Sequence, residues 1–290
     1  MQYDNFINYI NNYENTLIER EKFYIKTTVE NLKNDIKFFE LSILDNKKHR
    51  IKNQSIVAYN LAYSLYKKFD KVHSVKMRVG ALPQNPSNKI LYNLTWSTDG
   101  LINEYSNDCF AIKDSKLVKI FPLEGLENFS LDGLEYEAFN TSGGLGTLCD
   151  TLIDKVKELN YKTIRYKGHR HLMDFLINDL FLGKKKRRAI LKEILEYAIP
   201  TTKQDVVLIF CTVTGIKNGK LEQITDVRKI YNKKLYGQNL SSIQITTATG
   251  LCTVLDLFVQ GKINKNGFIK QEDIDLKDFL SNDFGKQYVI

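Results

Sequence analysis

Residues 205–216, DVVLIFCTVTGI, form an apolar run dominated by β-branched side chains. Such a run is typical of a strand buried inside a sheet, and it has to find pairing partners within the same chain. The segment that follows, GIKNG from Gly215 to Gly219, supplies hairpin-turn chemistry and leads into a second strand over Gln223–Tyr231. The chain therefore needs a sheet, and its other segments are read for what completes one.

Upstream, Ser74–Ala81 alternates like a strand, and Ile90–Trp96, Ala111–Ile112, Leu117–Phe121, Tyr136–Phe139 and Lys162–Tyr166 are shorter strand candidates. Helical spacing marks residues 54–69, Thr147–Leu159, His169–Leu182, Arg187–Ala198, which Pro200 stops, and Ala248–Gln260, with Ile243–Thr247 reading as the strand before the last of these. Strands cluster with helices between them and without regular βαβ alternation, which points to an α+β domain built on a mixed sheet. Residues 1–44 carry an amphipathic helical stripe from Tyr3 and Phe6 to Phe39 and Ile43, and the polar stretch Asp45–Asn53 reads as a loop. The expected organisation is a helical N-terminal segment, 1–53, and a sheet domain, 54–290.

Composition sets broad limits. With 290 residues, 43% hydrophobic and 4 Pro, the chain can bury a substantial core, and disordered or collagen-like architectures are excluded. Cys109, Cys149, Cys211 and Cys252 are far apart, and no Cys/His spacing suits a metal, so no metal site is expected. The net charge of +8 raises the possibility of a nucleic-acid partner. Only Lys184-Lys185-Lys186-Arg187-Arg188 forms a dense cluster, without interleaved aromatic residues, so it reads as a solvated connector and a nucleic-acid partner is not expected. No apolar run approaches a membrane span and no signal peptide opens the chain, which makes a membrane partner unexpected and the cytoplasm the expected location.

Three places carry chemistry. Gly143-Gly144-Leu145-Gly146 opens a helix, where backbone N–H groups can meet an anion. It is not a dinucleotide fingerprint, because Cys149 stands where the third glycine belongs and the preceding stretch, Glu135–Asn140, is too polar for a buried first strand. A carboxylate cradle and a purely structural helix start both remain open. Arg165-Tyr166-Lys167-Gly168-His169 concentrates a guanidinium, a phenol, an ammonium and an imidazole between a strand and a helix; Arg suits bidentate carboxylate recognition, and His169 reads either as a helix-start hydrogen-bond partner or as a functional group. Trp96, the single tryptophan, precedes a turn at Ser97–Gly100, and the apolar stretch Gly100–Glu104 draws Glu104 toward a cleft.

Several longer motifs in order give these residues a common context: Val79–Pro83, Leu94–Tyr105, Glu137–Leu148, Thr163–His169, Gln204–Val207 and Gln244–Gly250. Over residues 54–286 the chain resembles the C-terminal, substrate-binding half of the saccharopine dehydrogenase family, especially its lysine 6-dehydrogenase-like bacterial branch. The resemblance implies a mixed-sheet domain that binds an amino-acid substrate and forms a homodimer, within an NAD(P)-dependent oxidoreductase acting on a carbon that bears an amine. It assigns Arg165 and the Thr141, Ser142, Gly143 and Gly144 loop to the substrate carboxylate, with Trp96 and Tyr105 lining the same site. Glu104 would pair with the substrate amine, and Tyr166 or His169 would assist proton transfer. The family's cofactor sits on a Rossmann domain that precedes this half, whereas the first glycine here is Gly80. The cofactor-binding residues are thus unknown, and a separate Rossmann subunit acting in trans is the expected partner. A non-catalytic amino-acid-binding or assembly module, or a truncated remnant of such an enzyme, is the alternative.

Overall fold

The computed structural model describes Glu19 and residues 56–235, 237–263 and 267–289. The chain divides into Met1–Arg50 and Ile51–Ile290, and the sheet belongs to the second unit. The helical stripe expected over residues 1–44 and the loop expected at 45–53 lie outside the described residues, Glu19 excepted.

In chain order the elements are α1 (Ile56–Tyr66), β1 (Lys71–Pro83), α2 (Thr98–Ser106), β2 (Cys109–Lys113), β3 (Lys116–Ile120), β4 (Glu127–Leu131) and β5 (Leu134–Asn140). They continue with α3 (Leu148–Leu152), β6 (Glu158–Tyr166), α4 (His169–Asp174), a π-helical turn (Phe175–Asp179) and α5 (Arg188–Ala198). The C-terminal part holds β7 (Asp205–Lys217), β8 (Lys220–Tyr231), a small pair β9 (Lys233–Leu235) and β10 (Gln238–Leu240), α6 (Ser242–Val259) and α7 (Leu276–Ser281). The apolar run is thus the long strand β7, and Asn218 and Gly219, both at positive φ, turn it into β8 as the hairpin chemistry requires.

The eight-stranded sheet has the order β3-β2-β6-β1-β7-β8, with the β4–β5 hairpin added along β6. β1 and β6 pair in parallel, while β1 with β7, β7 with β8, β2 with β6 and β5 with β6 pair antiparallel, so the sheet is mixed. Period-two alternation sorts the side chains. Val75, Met77 and Val79 of β1, Leu159 and Tyr161 of β6, and Val207, Ile209 and Cys211 of β7 share one core with α1, α3, α6 and α7. A second core on α2, α4 and α5 gathers Tyr92, Leu101, Ile102, Tyr105, Phe139, Met173, Leu191 and Leu195. The opposite sheet face holds a smaller cluster of Leu82, Tyr136, Ile164, Val206 and Leu208.

Three sequence expectations change. Ile90–Trp96 is not a strand: its backbone is irregular, with one isolated bridge from Leu94 to Thr201. Ile243–Thr247 belongs to α6, because a Ser241–Gln244 capping box starts the helix earlier and overrides the β-branched residues. The helix expected over Thr147–Leu159 ends at Leu152, and β6 begins at Glu158. At 18 residues, α6 is also long and apolar enough to span a membrane by composition, which a reading of the sequence in shorter segments misses. Ile243, Ile245, Thr246, Thr249, Thr253 and Leu257 nevertheless bury one side of it within the domain.

The start of α6 also depends on a residue 37 positions away. The buried Asp205 carboxylate, at the start of β7, accepts from the backbone N–H of Ser242 at 2.5 Å and of Ile243 at 3.1 Å. A charged acceptor on free N–H groups at a helix N-terminus joins the helix to the sheet. Asp205→Ala leaves both donors buried without it, and we expect a loss of about 2–3 kcal/mol in unfolding free energy, read by urea titration.

Candidate functional site

β6 sets the site by alternation: Tyr161, Thr163 and Arg165 project to the face shared with α1–α4, whereas Lys162, Ile164 and Tyr166 project to the other. Arg165 is the largest fully buried side chain among the described residues. Its Nη1 donates to the Ile164 carbonyl at 2.8 Å, and its Nε donates to the Tyr105 hydroxyl at 2.8 Å. Tyr92 adds a ring centroid 5.1 Å from the guanidinium. The Glu104 carboxylate stands 3.8 Å from Nη2, an ion pair longer than a hydrogen bond.

The hydrogen bonds at His169 have one consistent direction. The Ile90 carbonyl can only accept, so His169 Nδ1 carries the proton and donates to it at 2.8 Å. Nε2 then accepts from the Tyr105 hydroxyl at 3.0 Å, and Tyr105 in turn accepts from Arg165. Burial, reinforced by the Arg165 charge, lowers the imidazole pKa to about 3 against the weaker pull of the Ile90 bond, so His169 is neutral at physiological pH. Burial likewise raises the Tyr105 hydroxyl, which stays protonated. With both nitrogens engaged, His169 holds Tyr105, and Tyr105 holds Arg165.

α2 supplies the carboxylate. Ser97 caps it by accepting from Gly100 N–H at 3.2 Å, so the stretch Ser97–Gly100 is a helix start and not only a turn. Glu104 and Tyr105 then follow on its buried side. The Thr141–Gly144 loop is joined to the same helix: Ser142 N–H donates to the Glu104 carbonyl at 3.0 Å, and Ser142 Oγ donates to the Asn103 carbonyl at 3.0 Å. Thr141 and Thr163 share a hydroxyl–hydroxyl bond of 2.6 Å. Trp96 enters indirectly, donating from Nε1 to the Tyr92 hydroxyl at 3.0 Å.

Glu104, Tyr105, Thr141, Ser142, Arg165 and His169 thus meet around one buried centre, with Trp96 one residue removed through Tyr92. Tyr166 is the correction. Alternation turns it to the opposite face, where its hydroxyl donates to the Pro83 carbonyl at 2.8 Å and its ring stacks on Tyr136 at 5.6 Å. Sequence reading passed over two residues. Tyr92 lay in the stretch taken for a strand. Glu137 is buried opposite Arg165 on β5, and its carboxylate accepts from Gly168 N–H at 2.9 Å and Arg170 N–H at 2.5 Å, fixing the start of α4. In the sequence Glu137 opens the Glu137–Leu148 motif and is a carboxylate inside a strand, but neither signal assigned it a role.

The glycine loop does not fit a dinucleotide pyrophosphate. A Cβ on Gly144 would lie 1.9 Å from the Tyr161 ring, so the space that glycine leaves is filled by that ring. α3 has five residues, and Thr147 and Thr151 both donate their hydroxyls to the buried Glu272 carboxylate, Thr147 at 2.6 Å. Gly143 is exposed, and its carbonyl accepts from the Tyr59 hydroxyl at 3.5 Å.

A mixed sheet flanked by helices, with a buried guanidinium and carboxylate beside a glycine loop, defines an α+β domain. The chain belongs to the saccharopine dehydrogenase C-terminal domain family, whose model matches residues 54–286. A second model, for a Cache domain, matches residues 2–97 and overlaps the first. Among solved structures, an apo saccharopine dehydrogenase (L-Glu forming) from Saccharomyces cerevisiae is similar, at 16% identity and TM-score 0.59, over 77% of this chain and 67% of that one. A homospermidine synthase from Legionella pneumophila, in complex with NAD, matches at 12% identity and TM-score 0.48, over 80% of this chain and 54% of that one. The family is one of NAD-dependent amino-acid oxidoreductases.

Protonation of His169 gives the site a measurable signature. Its folded pKa lies below the ordinary value of about 6.5, so the unfolded chain binds the extra proton first. The contribution is complete above about pH 6.5 and is lost as pH falls toward about 3. We expect stability to decline across that window with a slope from this residue approaching about 1.4 kcal/mol per pH unit. In denaturant titrations repeated at several pH values, His169→Gln removes that component.

Proposed function

We propose that this domain holds the amino-acid substrate of an oxidoreductase acting at a CH–NH carbon, of the lysine or saccharopine type, with NAD(P) carried by a Rossmann domain supplied in trans. The observation that carries the reading is the buried Arg165–Glu104 pair held at 3.8 Å beside the Thr141–Gly144 loop. Among the described residues, Arg165 Nη2 makes no hydrogen bond, since Nε and Nη1 take the bonds to Tyr105 and to backbone carbonyls. A guanidinium edge that makes only a long ion pair with the carboxylate beside it presents charges complementary to the two charged ends of an amino acid.

In this reading Arg165 takes the substrate carboxylate beside the Thr141, Ser142, Gly143 and Gly144 loop, whose bonds to α2 and β6 shape that wall of the site, Glu104 faces the amine, and Trp96 and Tyr105 line the site. His169 acts through Tyr105 and keeps the guanidinium in place. Proton exchange with the amine falls to Glu104, because both His169 nitrogens are engaged and Tyr166 lies across the sheet. The bound cofactor would accept the hydride, and the domain's own task is to hold and orient the carbon that loses it. A surface for the Rossmann partner is supported by α6, where Leu251, Phe258 and Val259 remain exposed. The homodimer implied by the family resemblance is part of the same proposal.

Calorimetric titration with lysine and with saccharopine tests the reading. Binding of one of them, weakened on the order of 100-fold by Arg165→Lys or by Glu104→Gln in folded protein, is the expected result. Failure of both to bind overturns it. Amine-dependent NAD(P) reduction on adding a Rossmann chain separates an enzyme from an amino-acid-binding module, which binds in the same way but does not turn over.

A further inference from the structure

The basic run Lys184–Arg188 is flanked in sequence by large apolar side chains that the fold leaves exposed. In the segment 175–197, Phe175, Leu180, Phe181, Ile190, Ile194 and Tyr197 are all exposed large apolar side chains, Phe181 by 53% and Tyr197 by 94%. Lys184 Nζ lies 4.3 Å from the centroid of the Phe181 ring. Phe181 also has φ +56, a left-handed conformation that costs a bulky residue free energy. Ile190, Ile194 and Tyr197 follow at helical spacing on one exposed flank of α5.

The tip is held firmly. Ile177 and Leu182 are buried in the second core, and a Cβ on Gly183 would lie 2.6 Å from Ile177, so the turn is packed close. Arg188 fastens it, donating to the Gly183 and Ser106 carbonyls and to the side-chain oxygens of Asn103 and Asn107. A well-anchored turn therefore presents Leu180 and Phe181 to solvent. Lys184, Lys185, Lys186 and Arg187 are exposed and form no ion pair among the described residues. The stretch 175–197 has six cations against the three carboxylates Asp179, Glu193 and Glu196. Arg188 is turned inward and Lys192 pairs with Asp99 at 2.6 Å, so Lys184–Arg187 supply the outward charge.

We propose that this tip docks on an anionic lipid surface, with Leu180 and Phe181 entering the headgroup region and Lys184–Arg187 meeting the lipid charges. An anionic bilayer accepts aliphatic and aromatic side chains together while its headgroups attract the cations beside them. Nucleic acid would gain chiefly from a bare ring face, and one face of Phe181 is covered by Lys184. The docking needs no spanning helix and is independent of the Arg165 site.

Co-sedimentation of the full chain with vesicles tests the proposal. Binding to mixed phosphatidylserine–phosphatidylcholine vesicles, absent with phosphatidylcholine alone and weakened by salt, is expected. Phe181→Gly removes the ring and also relieves the left-handed strain, so partitioning should fall about 10-fold without a lower melting temperature. Combined Lys184→Glu, Lys185→Glu and Lys186→Glu should reduce it by about 100-fold or more. The proposal is overturned if the mixed vesicles are not bound at low salt, if neither variant alters binding, or if polyuridylate is bound and the vesicles are not.

Discussion

A guanidinium taken out of water has to be compensated where it lies, and much of this domain is organised around that requirement at Arg165. β6 carries the charge inward, α2 brings Tyr105 and Glu104, the segment before α2 brings Tyr92, and α4 brings His169. No one of these elements holds the charge alone. The line from Arg165 through Tyr105 and His169 to the Ile90 carbonyl ends on backbone, so each donor in it has an acceptor.

The same requirement explains the surroundings. Ser142 ties the glycine loop to α2, Glu137 fixes the start of α4, and Glu272, near the C-terminal end, takes the Thr147 and Thr151 hydroxyls. Residues more than 100 positions apart thereby set the position of one loop. On the opposite face the sheet meets a different demand: Arg78 grips Glu127 with two bonds of 2.8 and 2.9 Å, and Lys162 adds a third at 2.6 Å. Burial alone would raise the Glu127 carboxyl, but the bonds to Arg78 and Lys162 outweigh it and hold the carboxyl below its usual value.

Much of the fold was legible because local pattern and final environment agree. The β-branched run at 205–216, the alternation at 74–81 and the hairpin chemistry of Gly215–Gly219, whose turn narrows to Asn218-Gly219, each state their structure within a few residues. Agreement failed where a distant partner decided the outcome. Ile243–Thr247 favours a strand by composition, yet Asp205 and the Ser241–Gln244 box make it helical. Ile90–Trp96 has strand-like residues but no continuous neighbour to pair with. At the candidate site, Glu104, Tyr105, Arg165 and His169 could be picked out from motif order, while Tyr92, and the role of Glu137 within its motif, became visible only through their contacts.

The sequence by itself determined the sheet, its longest strands and the family, because periodicity, turn residues and motif order are properties of a few neighbouring positions. Tertiary structure alone decided which side chains share a site. Arg165 and Tyr166 are adjacent in sequence, but a strand sends consecutive side chains to opposite faces, so one lies at the buried centre and the other behind the sheet. It likewise decided that His169 is a neutral hydrogen-bonding anchor, since its protonation follows from burial and from charges contributed by other elements, which no local spacing encodes.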